Sequence, residues 1–193
     1  MDRRQQKTRS AIYEAFLELL EEKSYAKITV QEIIDRANVG RSTFYAHFET
    51  KDSLLDDLCS GICRHVFSDR LHTEKTHDFT EREYDFAGQV THILYHLQDH
   101  RTEIRRLLSG ESGELFLNSL KTCLPALFAP LIRTAGSDIP ESYLQNFLTG
   151  SFADTVKWWA DRGMEDSPET VAGYYVSVVR SGIPEKPEQQ DIN

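Results

Sequence analysis

Residues 29–48 read TVQEIIDRANVGRSTFYAHF, and this stretch predicts two short helices joined by a tight turn. Thr29 and Glu32 have the spacing of a capping box, which marks the start of a helix. The apolar face expected for that helix consists of Val30, Ile33, Ile34 and Ala37. Asn38 and Gly40 then interrupt the pattern, and both are residue types that tolerate a positive φ in a turn. The segment therefore has the pattern of a helix-turn-helix.

The second of these helices divides its side chains between an inner and an outer face. Phe44 and Phe48 lie four residues apart, so we expect them to anchor the helix inward. The side chains turned outward are then Arg41, Ser42, Tyr45 and His47. Arginine near the start of such a helix can donate two hydrogen bonds to a guanine in the major groove. Lys51 begins the next helix, where its charge and the free backbone N–H groups predict a phosphate contact.

Helical spacing of apolar residues continues along nearly the whole chain, and no alternating strand pattern appears. The spacing predicts helices over about 4–23, 51–71, 81–98, 102–109, 112–135, 141–163 and 168–181. Pro125 and Pro130 are expected to kink or split the helix over 112–135. We therefore predict an all-α protein.

Charge is distributed unevenly along the 193 residues, although the formal net charge is −9. Residues 1–51 hold nine Lys+Arg and eight Asp+Glu, a net of +1, whereas residues 52–193 hold 13 and 23, a net of −10. Only the first segment can approach a phosphate backbone without strong repulsion. No apolar run reaches the roughly 20 residues needed to cross a bilayer, and no signal peptide is visible at the N-terminus. We expect a cytoplasmic protein that binds no membrane.

The sequence of residues 29–58 closely resembles the DNA-binding domain of the TetR family of bacterial transcriptional regulators. The resemblance rests on Thr29, Glu32, Ile33, Ala37, Asn38, Val39, Ser42, Thr43, Phe44, Tyr45, His47, Phe48, Lys51, Asp52, Leu54 and Leu55. Asn38 stands where the family usually has Gly, and Gly40 stands where Ser often caps the second helix. Asn accepts the left-handed conformation at small cost and Gly is an adequate cap, so neither departure changes the expected fold.

Carried over by position, the resemblance implies a surface that reads DNA bases and a set of phosphate contacts. The base-reading residues would be Arg41, Ser42, Tyr45 and His47, and the phosphate contacts would come from Thr29, Thr43 and Lys51. The family architecture implies a three-helix helix-turn-helix DNA-binding domain over 1–50 and a connecting helix over 51–71. It further implies a helical ligand-binding and dimerisation domain over 72–183. The polar tail 184–193 is expected to be disordered.

A second, weaker resemblance lies near the C-terminus. Trp158 and Trp159 followed by Gly163, and then Ser167-Pro168-Glu169, are similar to the junction before the last helix of many TetR-type regulators. The pattern is most similar to a subgroup that includes regulators of dihydroxyacetone kinase genes. This similarity does not identify a ligand.

Two further surfaces are expected in the distal half. A small, mainly apolar or aromatic effector would bind near the far end of the connecting helix, in a cavity with few charges. Its candidate lining residues are His65, Phe67, Tyr95, Phe116, Phe128 and Phe152. The last two helices carry more apolar side chains than one helix pair can hide, which predicts a two-fold homodimer. Its candidate interface residues are Phe147, Val156, Trp159, Tyr175, Val178 and Val179.

Two repeated spacings suggest other chemistry. His92, His96 and His100 recur every four residues, the spacing of a helical metal pair, but no Cys, Asp or Glu shares their stripe. We expect these histidines to line a pocket or face solvent, so no metal site and no cofactor are predicted. Cys59 and Cys63 have the same spacing, but cysteine in a helix is usually a small buried apolar residue. No P-loop, dinucleotide fingerprint, zincin motif or nucleophile elbow is present, so we do not predict an enzyme.

The function expected from these features is transcriptional regulation. We predict a repressor that binds a pseudo-palindromic operator in double-stranded DNA as a homodimer and is released by a small-molecule effector. The alternative is a helical small-molecule-binding adaptor or coactivator that keeps the helix-turn-helix but acts through a protein partner.

Overall fold

The computed structural model describes residues 3–66, 78–79, 85–109, 112–135 and 139–182. Within these ranges the regular structure consists of ten α-helices and a 3₁₀ turn at Tyr25–Lys27, with no strand, which confirms the all-α prediction. The helices are α1 (Arg3–Glu22), α2 (Val30–Ala37), α3 (Arg41–His47), α4 (Lys51–Val66), α5 (Phe86–Asp99), α6 (Arg101–Leu108), α7 (Gly113–Cys123), α8 (Pro125–Thr134), α9 (Glu141–Asp161) and α10 (Pro168–Gly182).

The helix-turn-helix forms as the sequence predicts. The Thr29 hydroxyl accepts from the Glu32 N–H at 3.2 Å, and the Glu32 carboxylate accepts from the Thr29 N–H at 2.9 Å, so the capping box starts α2. Asn38 ends α2 in the left-handed conformation, with φ 50° and ψ 47°. Gly40 precedes α3 at an ordinary φ of −74°, so its conformational freedom is not used there.

One hydrophobic core joins the N-terminal helices to the distal ones. The core extends without interruption from Ile12 in α1 to Val179 in α10. Helix α1 packs on α2 and on α6, and Arg106 Nη1 of α6 donates to the Leu20 carbonyl oxygen at 3.0 Å. Helices α1–α3 and the distal half therefore share buried contacts through α1 as well as through α4.

Helix α4 begins at Lys51, directly after the helix-turn-helix, and packs on α5 and α7. The Ser119 hydroxyl of α7 donates to the Asp56 carboxylate of α4. The predicted helix extends to residue 71, and its last five positions lie outside the described residues. The same holds for the tail 184–193 and for all of the polar segment 72–83 except residues 78 and 79.

The predicted helix over 112–135 is two helices. It breaks at Leu124, and the axes of α7 and α8 differ by 50°. Pro125 is the first residue of α8, a position where a missing N–H removes no intrahelical bond. Pro130 lies inside α8 and does not split it, so the expected split occurs only at Pro125. Among the described residues no single helix is long and apolar enough to span a bilayer, and only this bent pair passes by length and composition.

Helices α9 and α10 meet at a tight junction. Gly163 and Met164 follow α9 with φ of 80° and 53°, and the Ser167 hydroxyl accepts from the Thr170 N–H at 3.3 Å at the start of α10. The Trp159 indole N–H donates to the Asp166 carbonyl oxygen at 3.0 Å, which closes the junction. Helix α10 then packs on α5 and α9.

Candidate nucleic-acid interface

Two phenylalanines anchor α3 from below. Phe44 is fully buried and Phe48 is buried beside it, with ring centroids 5.9 Å apart. The Phe48 ring also contacts the Tyr13 ring of α1 at a centroid distance of 5.8 Å. Because burial of an aromatic ring contributes about 1.5–3 kcal/mol, these two side chains fix which face of α3 remains outward.

The outward face of α3 carries the side chains that the sequence predicts for base contacts. Arg41, Ser42 and Tyr45 are exposed, whereas Thr43 and His47 are half-buried. The Tyr45 ring is 50% exposed and meets the Phe44 ring edge-on at 5.5 Å. An aromatic ring held against the core by one edge presents the rest of its surface in a fixed direction, as a DNA contact requires.

Arg41 is positioned by a residue that the sequence analysis missed. Its Nη2 donates to Gln31 Oε1 at 2.6 Å, and Gln31 Nε2 donates to Asp35 Oδ1 at 2.7 Å. A guanidinium carries five N–H donors, so the bond to Gln31 leaves others for a guanine. The available signal was the four-residue spacing of Gln31 and Asp35, which places both on one face of α2.

Lys51 makes intramolecular contacts that the prediction of a phosphate contact did not include. Its ammonium donates to the carbonyl oxygens of Tyr25 at 2.8 Å and of Ile28 at 2.9 Å. It also lies 4.1 Å from the centroid of the Tyr25 ring. Partial burial lowers the pKa of the Lys51 ammonium. Two of its three donors therefore hold the start of α4 against the 3₁₀ turn.

Thr29 is exposed, but its hydroxyl is already part of the capping box. Hydrogen bonds lower the pKa of the Glu32 carboxyl to about 2. The bond from the Lys23 ammonium has the largest effect, and the bonds from Thr29 add to it. The carboxylate is therefore ionised at neutral pH and holds the end of α2 that the resemblance assigns to a phosphate.

A polar cluster connects α1, α3 and α4 behind the exposed face of α3. The Asp57 carboxylate forms an ion pair with Arg9 and accepts a hydrogen bond from the Tyr13 hydroxyl. The Arg9 guanidinium lies 5.2 Å from the centroid of the Phe48 ring. Asp57 of α4 is therefore joined to α1 through Arg9 and Tyr13, and both of these residues lie against Phe48, which supports α3.

The structure separates the residues predicted to line an effector pocket. Phe116, Phe128 and Phe152 are buried in the core, and the Phe128 and Phe152 rings pack with centroids 6.5 Å apart. The Tyr95 hydroxyl donates to the Glu169 carboxylate at the α5–α10 contact. Phe67 lies outside the described residues.

The three histidines predicted to share one stripe do not all lie together. His92 and His96 lie together and are joined by His65 from α4, whereas His100 lies beyond α5, 3.7 Å from the Glu103 carboxylate. Cys59 is a buried free thiol, and burial raises its pKa to about 12, which disfavours the thiolate that an oxidant sensor needs. The Cys63 side chain lies outside the described part of the chain.

Helices α9 and α10 form an open apolar groove of about 700 Å³ on the surface. Phe147 and Val178 lie in it with 53% and 71% of their surface exposed. Tyr175 and Val179 are buried and form its floor, whereas Val156 and Trp159 lie in the core of the subunit and cannot contact a partner as predicted. Exposed groove residues that the candidate set omitted are Ile139, Tyr143, Trp158 and Tyr174.

Comparison with known proteins identifies both halves of the chain. Residues 12–58 match the model of the bacterial regulatory proteins of the tetR family, and residues 85–181 match the model of a transcriptional regulator C-terminal region. The HTH-type transcriptional repressor KstR2 of Rhodococcus jostii is 23% identical over 178 residues, which cover 86% of this chain and 85% of that protein.

A second curated relative is matched over a shorter stretch. The uncharacterized HTH-type regulator YxbF of Bacillus subtilis is 34% identical over 88 residues, or 45% of this chain. That match spans only 23% of the length of YxbF.

Solved structures match the fold of this chain over nearly its whole length. A TetR regulator from Streptococcus agalactiae is 38% identical with a TM-score of 0.65, and the match covers 92% of this chain and 96% of that one. The dihydroxyacetone kinase operon activator DhaS has the same fold, with 18% identity, a TM-score of 0.63 and coverage of 91% and 96%. On these matches and on the helix-turn-helix described above, the chain belongs to the TetR family of transcriptional regulators.

Proposed function

We propose that this TetR-family regulator is a repressor that binds a pseudo-palindromic operator in double-stranded DNA through α3. The observation that carries the proposal is the exposed pair Arg41 and Tyr45 on a helix anchored by buried Phe44 and Phe48. Helix-turn-helix proteins place such a face in the major groove, where arginine selects guanine and aromatic edges contact thymine methyl groups. As a DNA-binding regulator rather than an enzyme, the protein would act in the cytoplasm, where its operator lies.

The proposed homodimer rests on the groove between α9 and α10. Large apolar residues concentrated on one face are rare on monomers and mark interfaces. A two-fold contact there covers Phe147, Trp158 and Val178 at once, since each subunit presents the same patch to the other. Two α3 helices related by that axis read successive major grooves when they lie about 34–36 Å apart.

Effector control would pass through α4. This helix starts at Lys51 beside the DNA-binding unit, and its far end reaches α5 at His65. An effector that binds there and favours another position of α4 would change the spacing of the two α3 helices. A tenfold loss of operator affinity needs a difference of about 1.4 kcal/mol between the two states.

The test is operator affinity, measured by fluorescence anisotropy on a duplex selected from a randomised library. We expect Arg41→Ala and Tyr45→Ala each to weaken binding by about 1–3 kcal/mol and to relax base preference at one position. Arg133→Ala is the matched control, because Arg133 is exposed on α8, away from the DNA-binding unit. Unchanged affinity and base preference in Arg41→Ala would refute the assignment of α3.

The same experiment distinguishes the proposed repressor from the alternative of an adaptor or coactivator. An adaptor or coactivator that acts through a protein partner would show no specific, salt-sensitive binding to any selected duplex. Specific DNA binding by protein–phosphate contacts weakens steeply with salt concentration. A flat salt dependence together with no enriched sequence would therefore favour the adaptor.

A further inference from the structure

Three imidazoles converge where α4 crosses α5. His65 of α4 meets His92 and His96 of α5, and the nearest ligand nitrogens of the three all lie within 4.8 Å of one another. The ring centroid of His65 lies 5.2 Å from that of His92 and 5.0 Å from that of His96. His92 is almost completely buried, and the other two are half-buried.

The spacing of the nitrogens is close to that of a metal site. His92 Nε2 and His96 Nε2 lie 3.1 Å apart. Two nitrogens bound to one zinc ion at 2.0–2.1 Å with a tetrahedral angle would lie about 3.3–3.4 Å apart. Because the three nitrogens lie within 4.8 Å of one another, the His65 nitrogen needs a shift of at most about 1.5 Å to reach the same distance, which a small rotation of a half-buried side chain provides.

We propose that His65, His92 and His96 bind one divalent transition-metal ion of the zinc class. Three neutral imidazole nitrogens suit Zn²⁺, Co²⁺, Ni²⁺ or Cu²⁺ and do not suit Mg²⁺ or Ca²⁺, which prefer oxygen ligands. With three protein ligands, the fourth tetrahedral position would be left to water or to a further ligand. The Phe79 ring stacks on His92 at 4.6 Å and limits the motion of that imidazole.

The site also determines what the metal would do. His65 is near the end of α4, whose first residue, Lys51, is held against the 3₁₀ turn of the DNA-binding unit. A bound ion would fasten the far end of α4 to α5 and fix one position of this helix. Resting on the proposed function, the metal would be an effector that changes operator affinity through α4.

The first experiment measures metal binding directly, without DNA. Untagged full-length protein is titrated with Co²⁺, whose visible absorption reports tetrahedral coordination, and Zn²⁺ is then added to displace it. We expect one Co²⁺ per chain and at least a tenfold loss of affinity in His65→Gln and in His96→Gln. His100→Gln is the matched control, because His100 lies beside Glu103 and outside the cluster.

The variants also separate a binding defect from a folding defect. Because His65 and His96 are half-buried, their glutamine variants are the informative ones, and far-UV circular dichroism verifies that they remain helical. His92→Asn is added as a third variant and is interpreted only through the same two readouts. Wild-type protein that binds no Co²⁺ or Zn²⁺ at micromolar concentration would overturn the site. Equal affinity in wild type, His65→Gln and His96→Gln would overturn it as well.

The second experiment measures operator affinity with and without Zn²⁺. We expect Zn²⁺ to change the affinity of the wild type at least tenfold and to leave that of His65→Gln unchanged. If the wild type binds no selected duplex either with or without Zn²⁺, the proposed function fails while the Co²⁺ titration still decides the site. Stoichiometric metal binding with no change in operator affinity would overturn the effector role.

Discussion

The contacts of Lys51 lead to a prediction that separates a role in folding from a role at a phosphate. Lys51→Met removes the ammonium and keeps most of the apolar stem. We expect the variant to be less stable in the absence of DNA, because the carbonyl oxygens of Tyr25 and Ile28 lose a charged donor at 2.8 and 2.9 Å. A lysine that served only DNA phosphates would leave the stability of the free protein unchanged.

The magnitude follows from three contacts. Each of the two hydrogen bonds contributes about 1 kcal/mol after competition with water, since the ammonium of Lys51 is only partly buried. The contact with the Tyr25 ring, at 4.1 Å from its centroid, adds about 0.5–1 kcal/mol. The free energy of unfolding should therefore fall by about 2.5–3 kcal/mol in Lys51→Met.

The assay is urea unfolding followed by circular dichroism, with Lys27→Met as the control. Lys27 is exposed on the same 3₁₀ turn, so its replacement tests the loss of a lysine without the loss of these bonds. We expect a midpoint for Lys27→Met within error of the wild type and a clearly lower one for Lys51→Met, with the same slope. Equal midpoints for all three proteins would refute the structural role of Lys51.

Two further predictions concern the interface and the capping box. Val178→Glu should convert the dimer to a monomer in sedimentation at micromolar concentration, because Val178 is 71% exposed in the groove. The control Ser177→Glu places the charge on the same helix but outside the groove lining, and it should remain a dimer. A dimeric Val178→Glu would contradict the proposed interface. The lowered pKa of Glu32, about 2 in the folded protein, stabilises the fold above the ordinary carboxyl pKa of 4.5. That contribution is lost as pH falls from 4.5 toward 2, so wild type should lose more stability over this range than Glu32→Gln in acid unfolding. Glu21→Gln, on the exposed side of α1, should follow the wild type, and parallel curves for wild type and Glu32→Gln would count against the capping role.

Features decided within a few residues could be predicted from the sequence. The capping box of Thr29 and Glu32, the left-handed Asn38 and the buried Phe44 and Phe48 all depend on neighbours at most four positions away. For that reason the helix-turn-helix and the all-α fold were predictable. Comparison with known regulators confirms the family that these residues resemble.

Features decided by the packing of distant helices could not be predicted. Trp158 and Trp159 are adjacent and chemically identical, yet Trp159 is fully buried and Trp158 is 42% exposed in the groove. Periodicity shows that a helix has an apolar face but does not show which neighbour covers it. In the same way, the spacing of His92 and His96 was visible, but their contact with His65 depends on where α4 crosses α5.

We propose above that α3 reads a specific operator as part of a two-fold dimer. The most direct test is selection of bound duplexes from a randomised library, using the wild-type protein at moderate salt concentration. We predict enrichment of an inverted repeat whose half-sites are centred about one helical turn, or a whole multiple of it, apart. With Arg41→Ala in place of the wild type, the base preference should be lost at one symmetric pair of positions in the enriched site. A library that remains random after repeated rounds, or an enriched site with no inverted repeat, would contradict the claim.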